Sequence, residues 1–270
     1  MSKPVIALMY DFDKTLCTKD MQEYTFIPSV NMEPSDFWGQ VGAMAKRTEM
    51  DPILAYMYTM LDKARSVHHS IRREDFVSSG KDLELYRGVS TWFDRVNKIG
   101  AEQGAVIEHY IISSGLREII EGSEIKDKFK DIFACEFYYD ENGVAVWPKN
   151  VVNYTTKTQF LFRINKGIMD ITDNAGLNEF KAEDDRRIPF RNMIYVGDGL
   201  TDVPCMKLVK INGGYSIAVY KDKKDIAEKL VKDNRVNFVA RADYSKASTM
   251  EKLVTDIIAK MVAVDKLINR

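Results

Sequence analysis

Two short acidic clusters in this chain could act on a phosphate together. Asp11-Phe12-Asp13-Lys14-Thr15 follows directly on the apolar run Val5-Ile6-Ala7-Leu8-Met9-Tyr10, and Gly197-Asp198-Gly199-Leu200-Thr201-Asp202 follows Met193-Ile194-Tyr195-Val196. Each sets carboxylates at the C-terminal end of a buried strand, and the crevice beyond such strand ends is where an open α/β sheet binds its ligand. Side by side, the two clusters make a hard-oxygen site suited to magnesium. Phosphoryl transfer needs an oxygen nucleophile, a proton donor for the leaving group and cations to offset the phosphate charge. A carboxylate can be that nucleophile, forming an aspartyl-phosphate that water later hydrolyses. Carboxylates at i and i+2 of an extended segment point the same way. If the chain coils after Asp11, Asp13 instead approaches the leaving-group side, so that one aspartate attacks while the other shuttles a proton.

The elements around these clusters follow an α/β rhythm. Strands are expected at 106–112, ending at Ser113-Ser114-Gly115, and at 192–196, 216–220 and 236–240. Runs at 132–139 and 144–147 flank Asp140-Glu141-Asn142-Gly143, and an Asn-Gly between strand-like runs is a strong hairpin signal. Val89, Trp92, Phe93, Val96 and Ile99 make a helical stripe closed by Gly100 and Gly104. Further helices are expected from about 156 to 166, over 224–231, after Asp202 with Pro204 in the first turn, and from the capping box Ser248-Thr249-Met250-Glu251. Residues 168–190 read as a polar, irregular surface excursion. Strands alternating with helices imply a Rossmann-like, three-layer and mostly parallel sheet covered on both faces.

Between the first strand and this rhythm, residues 16–88 read as all-helical. Asp51-Pro52 is a cap residue followed by proline at the first helical position. Ile53, Leu54, Met57, Met60, Leu61 and Ala64 then share one face. An earlier helix opens near Pro34-Ser35, and a third starts near Arg73 and breaks at Ser79-Gly80. The expected organisation is a catalytic core of residues 1–15 and 89–270 with a helical cap of residues 16–88 inserted.

Composition narrows the function classes. With 39 basic against 40 acidic residues in 270, the chain has no polyanion-binding signature, which disfavours nucleic acid. Cys17, Cys135 and Cys205 are odd in number and far apart, which does not look like a disulfide framework and suits a reducing cytoplasm. Met1-Ser2-Lys3-Pro4 leads straight into the first strand, so no signal peptide is expected, and no apolar run approaches the ~20 residues that span a bilayer. His68 and His69 are adjacent and cannot share a metal from one helix face, so zinc chemistry has no support.

Asp11-Phe12-Asp13-Lys14-Thr15 and Gly197-Asp198-Gly199-Leu200-Thr201-Asp202 resemble the first and fourth motifs of the haloacid dehalogenase-like superfamily. Ser113 at a strand end resembles its hydroxyl motif, and Lys157 opening a helix resembles its lysine motif. Their order spans the chain from residue 5 to about 220. The helical insertion and the Asn-Gly hairpin look most like the phosphoserine phosphatase group. The resemblance implies a magnesium-dependent phosphatase acting on a small phosphorylated metabolite. Asp11 would be nucleophile and metal ligand. Asp13 would be acid and base, with its carbonyl on the metal, and Thr15 would help hold the turn. Ser113 and the backbone N–H of Ser114 would bind phosphate, and Lys157 would neutralise charge. Asp198 would ligate magnesium, and Asp202 would ligate or orient through water. Asp20 stands where these phosphatases place a glutamate that reads the substrate amino group. Ser114 stands where relatives carry glycine, which narrows the pocket.

Each residue also has a plainer reading. Asp-x-Asp-x-Thr alone is often a capped turn, and Ser113 could cap a helix and competes with Ser114 for the phosphate role. Lys149 and Lys166 compete with Lys157, whose place at a helix N-terminus opposes the helix dipole unless an anion lies near. Asp202 could cap the next helix. Asp20, Lys46 and Arg47, weighed as substrate readers, and Tyr56 and Tyr58 also read as ordinary cap surface and packing. Rival functions are a phosphotransferase using the same aspartyl-phosphate, a dehalogenase, against which Asp13 argues, and a non-catalytic scaffold that binds phospho-ligands. The sequence leaves the substrate and the oligomeric state open.

Overall fold

The structure, a computed structural model, describes residues 3–69 and 71–268. Met1 and Ser2, which precede the expected first strand, lie outside the described residues. Among the described residues seven strands form one sheet: β1 (Val5–Tyr10), β2 (Val106–Leu116), β3 (Asp131–Tyr139), β4 (Ala145–Asn150), β5 (Met193–Gly197), β6 (Tyr215–Tyr220) and β7 (Phe238–Arg241). Their order is β4-β3-β2-β1-β5-β6-β7, parallel throughout except for the antiparallel β3–β4 hairpin at the edge. Parallel strands buried on both faces read as unbroken apolar runs, and residues 6–10 of β1 are fully buried.

The helices are α1 (Phe26–Ser29), α2 (Pro34–Thr48), α3 (Pro52–Ser66), α4 (Arg73–Ser79), α5 (Val89–Gln103), α6 (Arg117–Glu121), α7 (Lys157–Lys166), α8 (Asn174–Asn178), α9 (Val203–Ile211), α10 (Asp225–Lys232) and α11 (Thr249–Ile268). The chain leaves β1 in one direction through α5 to β2 and leaves β5 in the other through α9 to β6. Right-handed crossovers running opposite ways place their helices on opposite faces, which gives three layers. The direction changes around β1, so the C-terminal ends of β1, β2 and β5 border the switch point where such sheets bind ligands.

Trp92, Tyr10, His109 and Asn97 form a chain of hydrogen bonds beneath α5. Trp92 Nε1–H donates to the Tyr10 hydroxyl at 2.9 Å, so that hydroxyl donates onward to His109 Nδ1 at 3.1 Å. The opposite ring nitrogen, Nε2, then carries the proton and donates to Asn97 Oδ1 at 3.1 Å. Burial lowers the His109 pKa from 6.5 to about 3 and keeps the ring neutral.

Between β1 and α5 the described residues are helical apart from turns and two isolated bridges, Cys17 with Leu85 and Arg72 with Val144. Asp51 caps α3, its Oδ1 accepting from the Ile53 and Leu54 N–H groups at 2.8 and 3.2 Å. Four expectations need correction. Leu54 is 37% exposed, because Ala55 and Tyr56 complete the buried face of α3 in its place. Gly100 does not end α5; it is buried against Ile107, and Gly104, at φ 92°, makes the C-cap. β2 does not stop at Ile112 but continues through Ser113-Ser114-Gly115 to Leu116 with a register shift. The box at α11 is half formed: Ser248 Oγ accepts from Glu251 N–H, whereas the Glu251 carboxylate turns to Arg95 and the Ala247 N–H. The irregular stretch 168–190 contains α8 and is held down by Arg163 and Lys166, which donate to carbonyls of residues 170, 171, 177 and 179.

Candidate active site

Two strand ends, of β1 and β5, deliver the acidic residues, and β2 between its neighbours β1 and β3 delivers Ser113. Tyr10 is in register with Ile111 on one side and Val196 on the other, so Ser113 and Asp198 each lie one step beyond the residue level with Asp11. The Asp11 N–H still donates to the Val196 carbonyl at 2.9 Å, fixing its backbone to the sheet while the side chain leaves the strand end. The chain then coils. The N–H groups of Thr15, Leu16 and Cys17 all donate to the Phe12 carbonyl, and Lys14 adopts a left-handed conformation at φ 54°. The turn leaves Asp13 outside the group of carboxylates that Asp11 forms with Asp198 and Asp202. Asp13 Oδ1 accepts from the Met21 N–H at 2.9 Å.

Lys157, at the first position of α7, is 1% exposed. Its ammonium lies 2.9 Å from Asp11 Oδ1 and 2.7 Å from Asp202 Oδ1. Two anions thus offset the cost of a cation at a helix N-terminus. Burial alone would lower the Lys157 pKa, but the Asp11 and Asp202 charges outweigh it and hold the group above the ordinary lysine value. Asp202 is fully buried and accepts from the Tyr195 hydroxyl at 2.8 Å and from the Gly199 N–H at 3.3 Å. Gly197 must be glycine, since a Cβ there would stand 2.5 Å from Asp202 Cγ.

Asp11, Asp198 and Asp202 bring carboxylate oxygens within 4.8 Å of one another. Three carboxylates face one ammonium, and the excess negative charge shows in the proton affinity of Asp11 and Asp198. Burial, then the Asp202 charge, push Asp11 up to about 6 against the opposing pull of Lys157. Burial and the charges of Asp11 and Asp202 push Asp198 up to about 8. Burial, Asp20 and Asp11 hold Asp13 well above the usual carboxylate range. A crowded, oxygen-only donor set with uncompensated charge fits a hard divalent cation such as magnesium.

Ser113 is fully buried, with its Oγ accepting from the Gly115 N–H at 3.0 Å. Ser114 reaches the cleft, and its carbonyl accepts from the Tyr56 hydroxyl at 2.8 Å. Gly115 permits a close approach: a Cβ there would lie 3.0 Å from Asp13 Oδ2 and strike the Met21 side chain. Thr15 is buried; its carbonyl accepts from the Tyr244 hydroxyl at 2.8 Å, and its Oγ1 has no hydrogen-bond partner among the described residues.

A cleft of about 470 Å³ opens over Asp11, Asp13, Lys157 and Asp198. Asp20 lines it but is engaged by Lys14, 2.5 Å away. Arg47 is exposed on α2 and does not line this cleft. Sequence reasoning missed Tyr195, because a buried parallel strand hides a polar tip inside an apolar run. It also missed Gln22 and Trp38, which line the cleft from the helical segment, and it favoured packing over binding for Tyr56, which lines the cleft too. Gln22 faces inward from a single 3-10 turn, which leaves no periodic signal.

No family model matches the chain. It is 28% identical over 285 residues to an uncharacterized protein of Borreliella burgdorferi, covering 96% of this chain and 98% of that one. A haloacid dehalogenase (HAD) family hydrolase from Salmonella enterica serovar Typhi superposes with a TM-score of 0.60 at 16% identity, covering 94% of this chain and 72% of that one. A phosphoserine phosphatase solved as a phospho-aspartyl intermediate analogue gives a TM-score of 0.56 at 13% identity, covering 94% and 99%. The chain has the haloacid dehalogenase-like fold in the form found in phosphoserine phosphatases.

Proposed function

We propose that this protein is a magnesium-dependent phosphatase that hydrolyses a small phosphomonoester through an aspartyl-phosphate on Asp11. The observation that carries this reading is the buried Lys157 ammonium bound to both Asp11 and Asp202, with Asp198 beside them. Asp11, Asp198 and Asp202 would hold the magnesium ion, whose charge would offset that of the phosphate when bound. Asp11 attacks phosphorus, and the bond to the leaving oxygen breaks as Asp13 gives that oxygen a proton. Asp13 then takes a proton from water, whose oxygen attacks phosphorus; the acyl-phosphate bond breaks and Asp11 is restored. Ser113 and the Ser114 N–H bind phosphate oxygens, while Lys157 keeps Asp11 ionised for attack. The phosphoserine phosphatase trapped as a phospho-aspartyl analogue supports a covalent route in this fold.

Residues 16–88 act as a cap over a core of residues 1–15 and 89–270, excluding bulk water when substrate is bound. Among the described residues no helix is long and apolar enough to cross a membrane. The three cysteines are buried and unpaired, which fits a reducing cytoplasm. The test is a phosphomonoester panel assayed with magnesium and again with chelator. Magnesium-dependent turnover is expected, abolished in Asp11→Asn and reduced by about 10²–10⁴ in Asp13→Asn. Undiminished turnover in Asp11→Asn refutes covalent catalysis there.

A further inference from the structure

The hydrolysis at Asp11 leaves two buried polar atoms of the cleft without a partner among the described residues, Ser114 Oγ on the phosphate side and Gln22 Oε1 on the helical segment. Gln22 directly follows Met21, whose backbone N–H holds Asp13, so it stands beside the leaving-group acid. It is 2% exposed, it lines the cleft, and its Oε1 has no hydrogen-bond partner among the described residues. Native proteins rarely leave a buried amide unpaired. One that borders a cavity is completed by whatever occupies the cavity.

Other walls of the same cleft are apolar and fixed. Trp38 donates its indole N–H to Glu23 Oε1 at 3.0 Å and meets Tyr56 edge-on at 6.1 Å, with Ile53 also on the wall. The lysines at the cleft are committed, Lys14 to Asp20 and Lys157 to Asp11 and Asp202. No arginine is among the described residues that line it. A substrate carboxylate would therefore find no free cation beyond the phosphate. A substrate ammonium would find Asp20, the residue the family resemblance assigns to it, already paired.

We propose, on the premise that the cleft hydrolyses a phosphomonoester, that its substrates are esters of uncharged alcohols. The alcohol presents an apolar or aromatic body to Trp38 and Ile53 and one neutral hydrogen-bonding group to Gln22. Amino-acid phosphates are poorer ligands, because their carboxylate finds no unpaired cation and their ammonium must compete with Lys14 for Asp20. Gln22 is a specificity determinant, and an amide suits the task because it recognises a neutral polar group without demanding a counter-charge.

Binding tests this separately from turnover. Asp11→Asn, with magnesium, is titrated calorimetrically with benzyl phosphate, 4-(hydroxymethyl)benzyl phosphate and O-phosphoserine. The hydroxymethyl ester is expected to bind more tightly than phosphoserine by about tenfold or more. Adding Gln22→Leu should erase its advantage over plain benzyl phosphate, roughly 3–10-fold, while benzyl phosphate binds as before. Phosphoserine binding as tightly as the aromatic esters, or an unchanged ester ratio in Gln22→Leu, overturns the proposal. Wild-type protein that binds the esters in the expected order without hydrolysing them refutes the phosphatase reading and leaves the specificity standing. A hydrolase that prefers phosphoserine overturns the specificity alone.

Discussion

At the scale of single residues, charge pairing holds Lys157 between Asp11 and Asp202, and hydrogen bonds hold the buried ring of His109. Asp11 and Asp198 follow apolar runs, and Lys157 opens a helix where a cation needs an anion nearby, so their positions carried information. Tyr195 and His109 sit within apolar strands, and nothing in the sequence tells which polar tip finds a partner. For His109 the partners dictate a measurable consequence. The ring is neutral, with Nδ1 accepting from Tyr10, so an added proton there would meet a donor already in place. The unfolded imidazole takes up its proton near pH 6.5, and the folded one only near pH 3. Between these values the unfolded chain binds more protons. The stabilisation from a neutral His109 is therefore complete above pH 6.5 and is lost as the pH falls, by about 1.4 kcal/mol per unit. Urea unfolding of the wild type and His109→Gln from pH 7 to 5 should show a shallower pH dependence in the variant by about that amount. Parallel curves would mean that His109 already protonates in the folded protein.

At the scale of elements, prolines gave α2 and α3 their starts, since Pro34 and Asp51-Pro52 mark them in the sequence. The extension of β2 to Leu116 was not legible, because Ser-Ser-Gly is turn chemistry that the neighbouring β3 converts into a strand end. Which face of α3 looks inward was only partly legible, because Leu54 and Tyr56 differ in hydrophobicity in the opposite sense to their burial. Asp51 links two elements that the cleft depends on. Its Oδ1 caps α3, and its Oδ2 accepts from Asn153 Nδ2 at 2.9 Å, tying that helix to the loop before Lys157. Asp51→Ala should cost about 1–2 kcal/mol in chemical denaturation through the lost cap. Because Pro52 and Ile53 line the cleft, it should also raise KM more than it lowers kcat. A loss of stability with KM unchanged would show that the tie to Asn153 does not position that wall.

At the scale of the whole molecule, the parallel sheet gathers residues 11, 113, 157, 198 and 202 at one edge. Alternating strands and helices predicted that gathering, and the two sheet registers on either side of β1 produce it. The cleft above this edge was beyond reach from sequence, since it depends on how the segment carrying Gln22, Trp38 and Tyr56 lies over the core. On the proposed function, the sheet would set the chemistry and the helical segment the selectivity, which accounts for motifs that read clearly beside a substrate that does not. The most direct test of the central claim traps the covalent intermediate. Protein turning over 4-nitrophenyl phosphate with magnesium is quenched and reduced with borohydride, which converts an aspartyl-phosphate to homoserine, and its peptides are then sequenced by mass spectrometry. Homoserine at position 11, absent without substrate, is the expected result; turnover that leaves Asp11 unmodified, or that marks another aspartate, contradicts the account.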